Sequence, residues 1–142
     1  MLHRITLVPF LSVMALVVTG CQGTGETVQS SAQQVVDGIA GKHQNVVRLT
    51  LHAVPRGESQ ARVVASTSAA KRGKPSDPED LRAMESGQET VLQEGENLDV
   101  TVPMADAAGK WTSVAGVTLR TAGRTREQLV ADARAIASEL NA

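Results

Sequence analysis

The chain has 142 residues, of which 14 are basic and 15 acidic, so its formal charge at pH 7 is −1. This length suits one domain with an ordinary core, and the balanced charge argues against nucleic acid or an anionic membrane surface as a partner. One Trp, one Phe and no Tyr exclude an aromatic cage or a base-stacking platform.

The first 21 residues have the pattern of a lipoprotein signal sequence. A short positive start, MLHR, precedes residues 5–18, which are almost wholly apolar and too few to span a bilayer core. Thr19 and Gly20 are small and precede Cys21, the only cysteine in the chain. The run VTGC resembles the bacterial lipobox, in which the cysteine thiol receives a diacylglyceryl group and becomes the new N-terminus. The alternatives are an ordinary secretory signal that contains a cysteine, or a buried core cysteine.

The lipobox resemblance divides the chain into a signal peptide at 1–20, a lipidated cysteine and tether at 21–25, and one domain at 26–142. The lipid would hold the protein on a membrane, because each buried methylene contributes about 0.8 kcal/mol. Gln22 is not an aspartate, which resembles an outer-membrane address, so we expect the domain to face the periplasm. With Cys21 lipidated, no thiol remains for a disulfide, a metal site or a catalytic nucleophile.

The pattern after residue 26 changes from helical to strand periodicity. Apolar residues from Val28 to Ile39 recur at three- and four-residue spacing and predict a helix that ends near Gly41. Residues 47–53 then alternate between apolar and polar side chains, and so do residues 61–67 after the turn PRGES. These two segments predict half-buried strands that form a hairpin.

The run KRGKPSDPED predicts the start of a second helix. Ser76 and Glu79 fit a capping box, and Asp77 followed by Pro78 offers an alternative cap with proline at the first helical position. The acidic residues favour the positive end of the helix dipole. The helix is expected to stop at Gly87.

The basic half of the same run is a candidate anion site. Lys71, Arg72 and Lys74 precede a helix start whose free N–H groups, with nearby cations, would hold a carboxylate or phosphate. The alternative is a solvated loop in which these side chains pair with the acidic residues that follow. His52 and Arg62 lie on the polar sides of the first two strands, so they would join a ligand site if that side faces a pocket, and would otherwise face water.

Three more strands and a closing helix are predicted next. Residues 98–104 alternate along the middle strand, and Trp111 shares one face of the last strand with Ser113. Thr125 and Gln128 form another capping box at the start of the closing helix. Short connections make neighbouring strands antiparallel, with the helices packed on one face, so the predicted fold class is α+β.

This order of elements resembles that of the extracytoplasmic PAS-like sensor domains called Cache domains. The run ASTSAAKRGKPSDPEDLRAMESG is similar to their strand-to-helix crossover, and LDVTVPMADAAGKWTSVAGVTL is similar to their closing pair of strands. The resemblance implies a PAS-like antiparallel five-stranded sheet with a crossover helix and flanking N- and C-terminal helices. It also implies a small metabolite bound between the sheet and the crossover.

The sequence offers no catalytic or metal motif. It has no GxSxG, no HExxH and no Gly-rich phosphate loop, and the spacing of His43 and His52 matches no metal site. We therefore expect no enzyme activity, no metal and no cofactor. The predicted function is a non-catalytic, membrane-anchored, periplasm-facing ligand-binding or sensory accessory domain, with a small anionic metabolite and a separate receptor or envelope protein as partners. The alternative is a structural or assembly lipoprotein that docks on an envelope protein complex.

Overall fold

A computed structural model describes residues 24–142, with side chains from residue 31 onward. The predicted signal peptide at 1–20 and the predicted lipidation site, Cys21, lie outside these residues. Among the helices of the described residues, none has the length and apolarity that a membrane span requires. The elements in chain order are α1 (Thr24–Ala40), β1 (Val46–Ala53), β2 (Arg62–Ser66), α2 (Pro78–Ser86), β3 (Thr90–Glu94), β4 (Asn97–Ala105), β5 (Trp111–Arg120) and α3 (Arg126–Leu140).

The five strands form one antiparallel sheet in the order β2-β1-β5-β4-β3. The crossover helix α2 connects β2 at one edge of this sheet to β3 at the other, and α1 and α3 stand at the two ends of the element order. The predicted α+β class and the PAS-like five-stranded sheet with a crossover helix are therefore confirmed. Helix α1 begins at Thr24, two residues before the expected domain boundary at residue 26.

The sheet is buried on both faces, and the two faces differ in chemistry. On one face, which we call the apolar face, Leu49, Val100 and Val117 are fully buried and pack with Val36 of α1 and Ile136 of α3. Successive side chains of a strand point to opposite sides of the sheet, so the intervening residues form a second face. This polar face has buried hydroxyl and imidazole side chains, namely Thr50, His52, Thr101 and Thr118.

Helix α2 lies over the polar face, which corrects the expectation that all helices pack on one face. Asp80 Oδ2 on α2 comes within 3.4 Å of His52 Nδ1 on β1. The preceding β1 residue, Leu51, packs instead against the apolar core formed with α1 and α3. A sheet with buried polar groups on its second face needs cover there, because those groups must be partnered away from bulk water. The helix that crosses between the sheet edges provides this cover.

The helix starts follow the predicted capping chemistry. Helix α2 begins with Pro78 after the N-cap residue Asp77, the second of the two predicted caps. Asp80 Oδ2 accepts a hydrogen bond from the Asp77 backbone N–H at 3.1 Å. At α3, Thr125 Oγ1 accepts from the Gln128 backbone N–H at 3.2 Å, and Gln128 Oε1 accepts from the Thr125 N–H at 2.9 Å. The capping box predicted there is confirmed.

Trp111 departs from the predicted alternation of the last strand. The register of β4 and β5 shifts so that Met104 is opposite Ser113 and Ala105 is opposite Trp111. Because residues 104 and 105 point to opposite faces, this bulge separates Trp111 from Ser113, and the prediction that they share a face is wrong. The Trp111 indole occupies the space where a Cβ at Gly87 would lie, beside the end of α2.

We expect Gly87→Ala to lower the free energy of unfolding by more than Gly123→Ala does. Both glycines have positive φ, 69° and 75°, a conformation that costs an alanine about 1–3 kcal/mol. Only at residue 87 would the new Cβ overlap the Trp111 indole, since a Cβ at residue 123 has nothing within 4 Å. Chemical denaturation followed by circular dichroism measures the difference. Equal losses would show that the indole does not pack against residue 87.

Candidate functional site

A polar cavity of about 90 Å³ lies between the polar face of the sheet and the segment that leads into α2. Gly116 lies at its floor, where a Cβ would be 3.7 Å from Thr50 Cβ and 3.8 Å from His52 Nε2, so the missing side chain leaves open space. The cavity is lined by Arg48, Thr50, His52, Val63, Lys71, Lys74, Pro75, Asp77, Glu79, Asp80, Glu94, Asp99 and Gly116.

Backbone hydrogen bonds hold the loop before α2 against strand β2. The Val63 N–H donates to Lys74 O at 2.9 Å, and the Gly73 N–H donates to Val63 O at 2.9 Å. Two residues further, the Ser76 N–H donates to Ala61 O at 3.1 Å. These bonds fix the backbone of the loop, so the residues above the polar face have defined positions.

His52 and Asp80 are the most buried ionisable residues of the site, each with 6% of its surface exposed. The contacts of the His52 ring join the two. His52 Nδ1 lies 3.0 Å from Ser76 Oγ and 3.4 Å from Asp80 Oδ2. Strand β1 supplies the imidazole, and the loop and first turn of α2 supply the two oxygens. The contact therefore joins the sheet to the crossover at the cavity.

Burial shifts the two ionisable partners in opposite directions. It lowers the pKa of His52 to about 4, with the Asp77 charge opposing this shift and the Lys71 charge adding to it. It raises the pKa of Asp80 to about 6, opposed by the hydrogen bond from the Asp77 backbone and assisted by neighbouring carboxylates. At neutral pH the imidazole is therefore uncharged and Asp80 is mainly ionised.

A second cluster of charges stands where β1, β3 and β4 meet the cavity. Arg48 Nη2 donates to both carboxylate oxygens of Glu94, at 3.1 and 3.0 Å, and lies 3.5 Å from Asp99 Oδ1. Thr118 Oγ1 donates to Asp99 Oδ1 at 2.5 Å. Burial raises the pKa of Asp99, and the Thr118 hydrogen bond and the Arg48 charge oppose this shift. The guanidinium is thus already paired with protein carboxylates.

Carboxyl groups outnumber cations in the cavity lining. The cations are Arg48, Lys71 and Lys74, and the carboxyl groups are those of Asp77, Glu79, Asp80, Glu94 and Asp99. With all of them ionised, the lining has a formal excess of two negative charges.

Three of the five predicted ligand-binding residues, His52, Lys71 and Lys74, line this cavity. Lys71 Nζ also lies 3.7 Å from Asp77 Oδ2, so the self-paired loop that was the alternative to an anion site is present at this lysine. Among the described residues, no ion pair of Lys74 is seen.

The other two predicted residues, Arg62 and Arg72, are outside the cavity lining. Arg72 Nε donates to Ser66 O at 2.8 Å and so ties the loop to the end of β2. Arg62 Nη2 donates to Glu58 Oε1 at 2.5 Å, with both side chains about 40% exposed. Both guanidinium groups therefore bond to other groups of the protein outside the cavity.

The sequence predicts Asp80 as a residue that favours the helix dipole and pairs with the basic loop, and it does not single out Asp99. A signal is present for Asp99. Asp99 and Thr101 are two residues apart on β4 and therefore share a face. Asp80 is the third residue of a helix whose cap was recognised, and it becomes a site residue only because α2 crosses above His52.

The site brings a serine, a histidine and an aspartate together without the geometry of a nucleophilic triad. Ser76 and Asp80 both face the same nitrogen, Nδ1 of His52. A triad needs the base to reach the nucleophile through one ring nitrogen while the acid holds the other. In residues 31–142 there is also no group of three or more His, Cys, Asp or Glu side chains placed to hold a metal ion.

No family model matches the chain, and no curated protein matches it by sequence. Solved structures do match. The nlh2 GAF domain of A. aeolicus aligns with a TM-score of 0.55 at 10% identity, covering 82% of this chain and 91% of that one. A methyl-accepting chemotaxis protein segment gives 0.56 at 13% identity, covering 80% and 86%. A type II free methionine-R-sulfoxide reductase from Thermoplasma acidophilum gives 0.55 at 12% identity, covering 82% and 94%.

These likenesses concern the fold alone, because all three identities are low. Each alignment covers at least 80% of this chain, whose α+β arrangement is a five-stranded antiparallel sheet with a crossover helix. The chain therefore has a PAS-like fold of the kind found in GAF domains.

We expect Asp80→Asn to make the free energy of unfolding more sensitive to acid. His52, with its pKa lowered from 6.5, contributes stability that is lost as the pH falls from about 6.5 to about 4. Asp80, with its pKa raised from 3.8, acts oppositely, because the folded state binds its proton first and gains stability as the pH falls from about 6. In the wild type, the contributions of His52 and Asp80 to the pH dependence of the free energy of unfolding therefore oppose each other. Asp99, whose pKa is also raised, contributes in the same direction as Asp80.

In Asp80→Asn the contribution of His52 is no longer opposed by Asp80, and it changes the free energy of unfolding by at most about 1.4 kcal/mol per pH unit for one proton. Denaturant titrations at pH 7, 6, 5 and 4 measure it. Asp37→Asn is the matched control, because Asp37 is an exposed aspartate on α1 that accepts from Gln33 and lies outside the cavity lining. Parallel pH profiles for the wild type and both variants would contradict the opposed titration.

Proposed function

We propose that this chain is a lipid-anchored, periplasm-facing domain that binds a small polar ligand without catalysis and signals its occupancy to a separate protein. The observation that carries the proposal is the polar cavity between the sheet and the crossover. A PAS-like fold places the crossover over the sheet, so a ligand there would touch both. The lipid anchor and the relation to Cache domains stay predictions from the sequence.

The chemistry of the polar face supports binding rather than packing. Thr50, Thr101 and Thr118 are buried where valine, nearly the same size, would avoid burying a hydroxyl. The apolar face of the same strands uses Val100 and Val117 at neighbouring positions. The polar face thus has threonine where the apolar face has valine, and Thr50 is the one of these three threonines that lines the cavity, together with Val63.

The connection of the crossover to the rest of the fold supports a sensory role. Helix α2 contacts β1 through Asp80 and His52 at its start, and its end lies against Trp111. A ligand between the sheet and this helix would change the free energy of its docking, which a partner protein can sense. An assembly protein is instead expected to have a core filled by its own side chains. The open cavity therefore supports ligand binding over an assembly role.

We expect Gly116→Val to abolish ligand-dependent stabilisation while the fold is kept. A Cβ at residue 116 makes ordinary contacts of 3.7 and 3.8 Å, and the two further methyl groups of valine would extend into the cavity. A ligand at 100 times its Kd adds about 2.7 kcal/mol of stability, which corresponds to a rise in Tm on the order of 10 °C for this size. The protein is purified from cells and kept in detergent, and its thermal unfolding is followed by the fluorescence of Trp111.

The panel contains amines, amino acids, organic acids and phosphates, and Thr112→Val on the exposed part of β5 is the matched control. A compound that raises the Tm of the wild type and of Thr112→Val, but not of Gly116→Val, binds in the cavity. If every compound leaves the wild-type Tm unchanged, ligand binding by these classes is refuted.

We expect Cys21→Ser to move the protein from the membrane fraction to the soluble fraction and to abolish fatty-acid labelling, because the thiol that would receive the lipid is gone. Gln22→Asp is the control. It keeps the cysteine and is expected to remain in the membrane fraction, at the inner rather than the outer membrane. Retention of Cys21→Ser in the membrane fraction would contradict the anchor.

A further inference from the structure

One ring nitrogen at the cavity lacks a hydrogen-bond partner among the residues that the structure describes. His52 uses Nδ1 for its contacts with Ser76 and Asp80, and its Nε2 has no hydrogen bond to any described residue. Every fully buried side-chain nitrogen or oxygen of the described, non-exposed residues has a partner, so Nε2 has accessible surface, and His52 lines the cavity. Its distance of 3.8 Å from the Cβ position of Gly116 places it at the cavity floor. A ring that is 6% exposed thus directs its free nitrogen into the cavity.

The environment of Nδ1 determines what Nε2 offers to a ligand. Asp80 Oδ2, 3.4 Å from Nδ1, is an acceptor when ionised and favours a proton on that nitrogen. Burial keeps the imidazole neutral at pH 7 by lowering its pKa to about 4. A neutral imidazole protonated on Nδ1 has a lone pair on Nε2. In this tautomer, in which Ser76 Oγ also accepts from Nδ1, the free atom of the cavity is an acceptor and its ligand supplies an N–H or O–H donor.

The charges around this acceptor favour a cation over the anion expected from the basic loop. Arg48 is held by Glu94, and Lys71 lies near Asp77. Beyond these pairs the lining has three more carboxyl groups, those of Asp80, Glu79 and Asp99, the last also 3.5 Å from Arg48, and one more cation, Lys74. The surplus is negative, so a positive ligand gains electrostatic energy on entering and a phosphate or carboxylate loses it.

The volume limits the ligand to a few heavy atoms. A water molecule in the liquid takes about 30 Å³, so a cavity of about 90 Å³ has the space of a few waters. This suits a methylammonium or ethanolammonium group, and it is well below the volume of about 300–1,000 Å³ of pockets that enclose a drug-sized ligand.

We propose that the cavity binds a small primary amine in its ammonium form, which donates a hydrogen bond to His52 Nε2 and is neutralised by the acidic lining. This inference rests on the proposed ligand-binding function and names the class of ligand. Affinity should fall below about pH 6, because protonation of Asp80 removes one negative charge from the lining. The other charged groups that face the site are those of Arg48, Lys71, Lys74, Asp77, Glu79, Glu94 and Asp99.

Titration of the ¹⁵N-labelled protein with methylamine and ethanolamine, with acetate and inorganic phosphate as anions and ethylene glycol as a neutral donor, tests the proposal. The His52 ring nitrogens and the Tm are followed together. The amines should move the Nε2 resonance of a ring protonated on Nδ1 and raise the Tm, and the anions should do neither. The exposed His43, which bonds Glu139, provides an internal reference signal.

Three variants make the outcome specific. Asp80→Asn should weaken amine binding about tenfold, the effect of losing one charged partner, and Gly116→Ala should weaken it by narrowing the space beside Nε2. His43→Gln should leave the affinity unchanged. If acetate or phosphate binds in the cavity and the amines do not, the amine class is overturned while the ligand-binding function stands. If a proton is found on Nε2 of the free protein, or no probe moves His52 in the wild type, the amine proposal is also overturned, and in the latter case the ligand-binding function fails for these probes as well.

Discussion

The burial of the sheet on both faces is the constraint on which the rest of this structure depends. A strand must direct alternate side chains to opposite sides, and in β1 this puts Leu49 and Leu51 into an apolar core and Thr50 and His52 under the crossover. The apolar side is covered by α1 and α3, whose small and branched apolar side chains need no hydrogen-bond partners. The polar side is different, because each buried hydroxyl or imidazole needs a hydrogen bond. The crossover segment supplies polar partners for His52, namely Ser76 and Asp80. Thr50 instead bonds Ser66 on β2, and Thr118 bonds Asp99 on β4. The cavity lies between the crossover and this face of the sheet.

The crossover is held at two points that differ in their physical nature. At the start of α2, Asp80 is both a helix-cap partner of Asp77 and the carboxylate beside His52. At its end, Gly87 permits the left-handed turn and the close approach of Trp111. The first contact depends on charge and the second on shape. A ligand next to His52 would act on the first contact while the second holds the helix end against β5, so α2 could respond to occupancy without leaving the sheet.

The basic loop shows why a cluster of charges in a sequence is a poor guide to a ligand. Three cations in four residues suggest an anion site, yet the fold gives each a different neighbour. Arg72 donates a hydrogen bond to the Ser66 carbonyl, Lys71 lies near Asp77, and Lys74 lines the cavity. An antiparallel β-bridge between Arg62 and Pro75, flanked by the hydrogen bond from the Val63 N–H to Lys74 O, sets these positions. The other cations and carboxyl groups of the lining balance one another, so Glu94 from β3 and Asp99 from β4, far away in sequence, give the lining its formal excess of two negative charges.

The sequence by itself determined the elements, because their signals are local: the alternation at 47–53, the Asp77–Pro78 start and Gly87 stop of α2, and the Thr125–Gln128 box of α3. It also indicated the PAS-like order and put His52 among the candidates. Only the tertiary structure decided that α2 covers the polar face, that Asp80 meets His52, that Asp99 joins the lining and that a bulge turns Trp111 towards Gly87. These facts depend on contacts between segments remote in the chain and on a one-residue shift of register. Periodicity within a single segment contains no information about either.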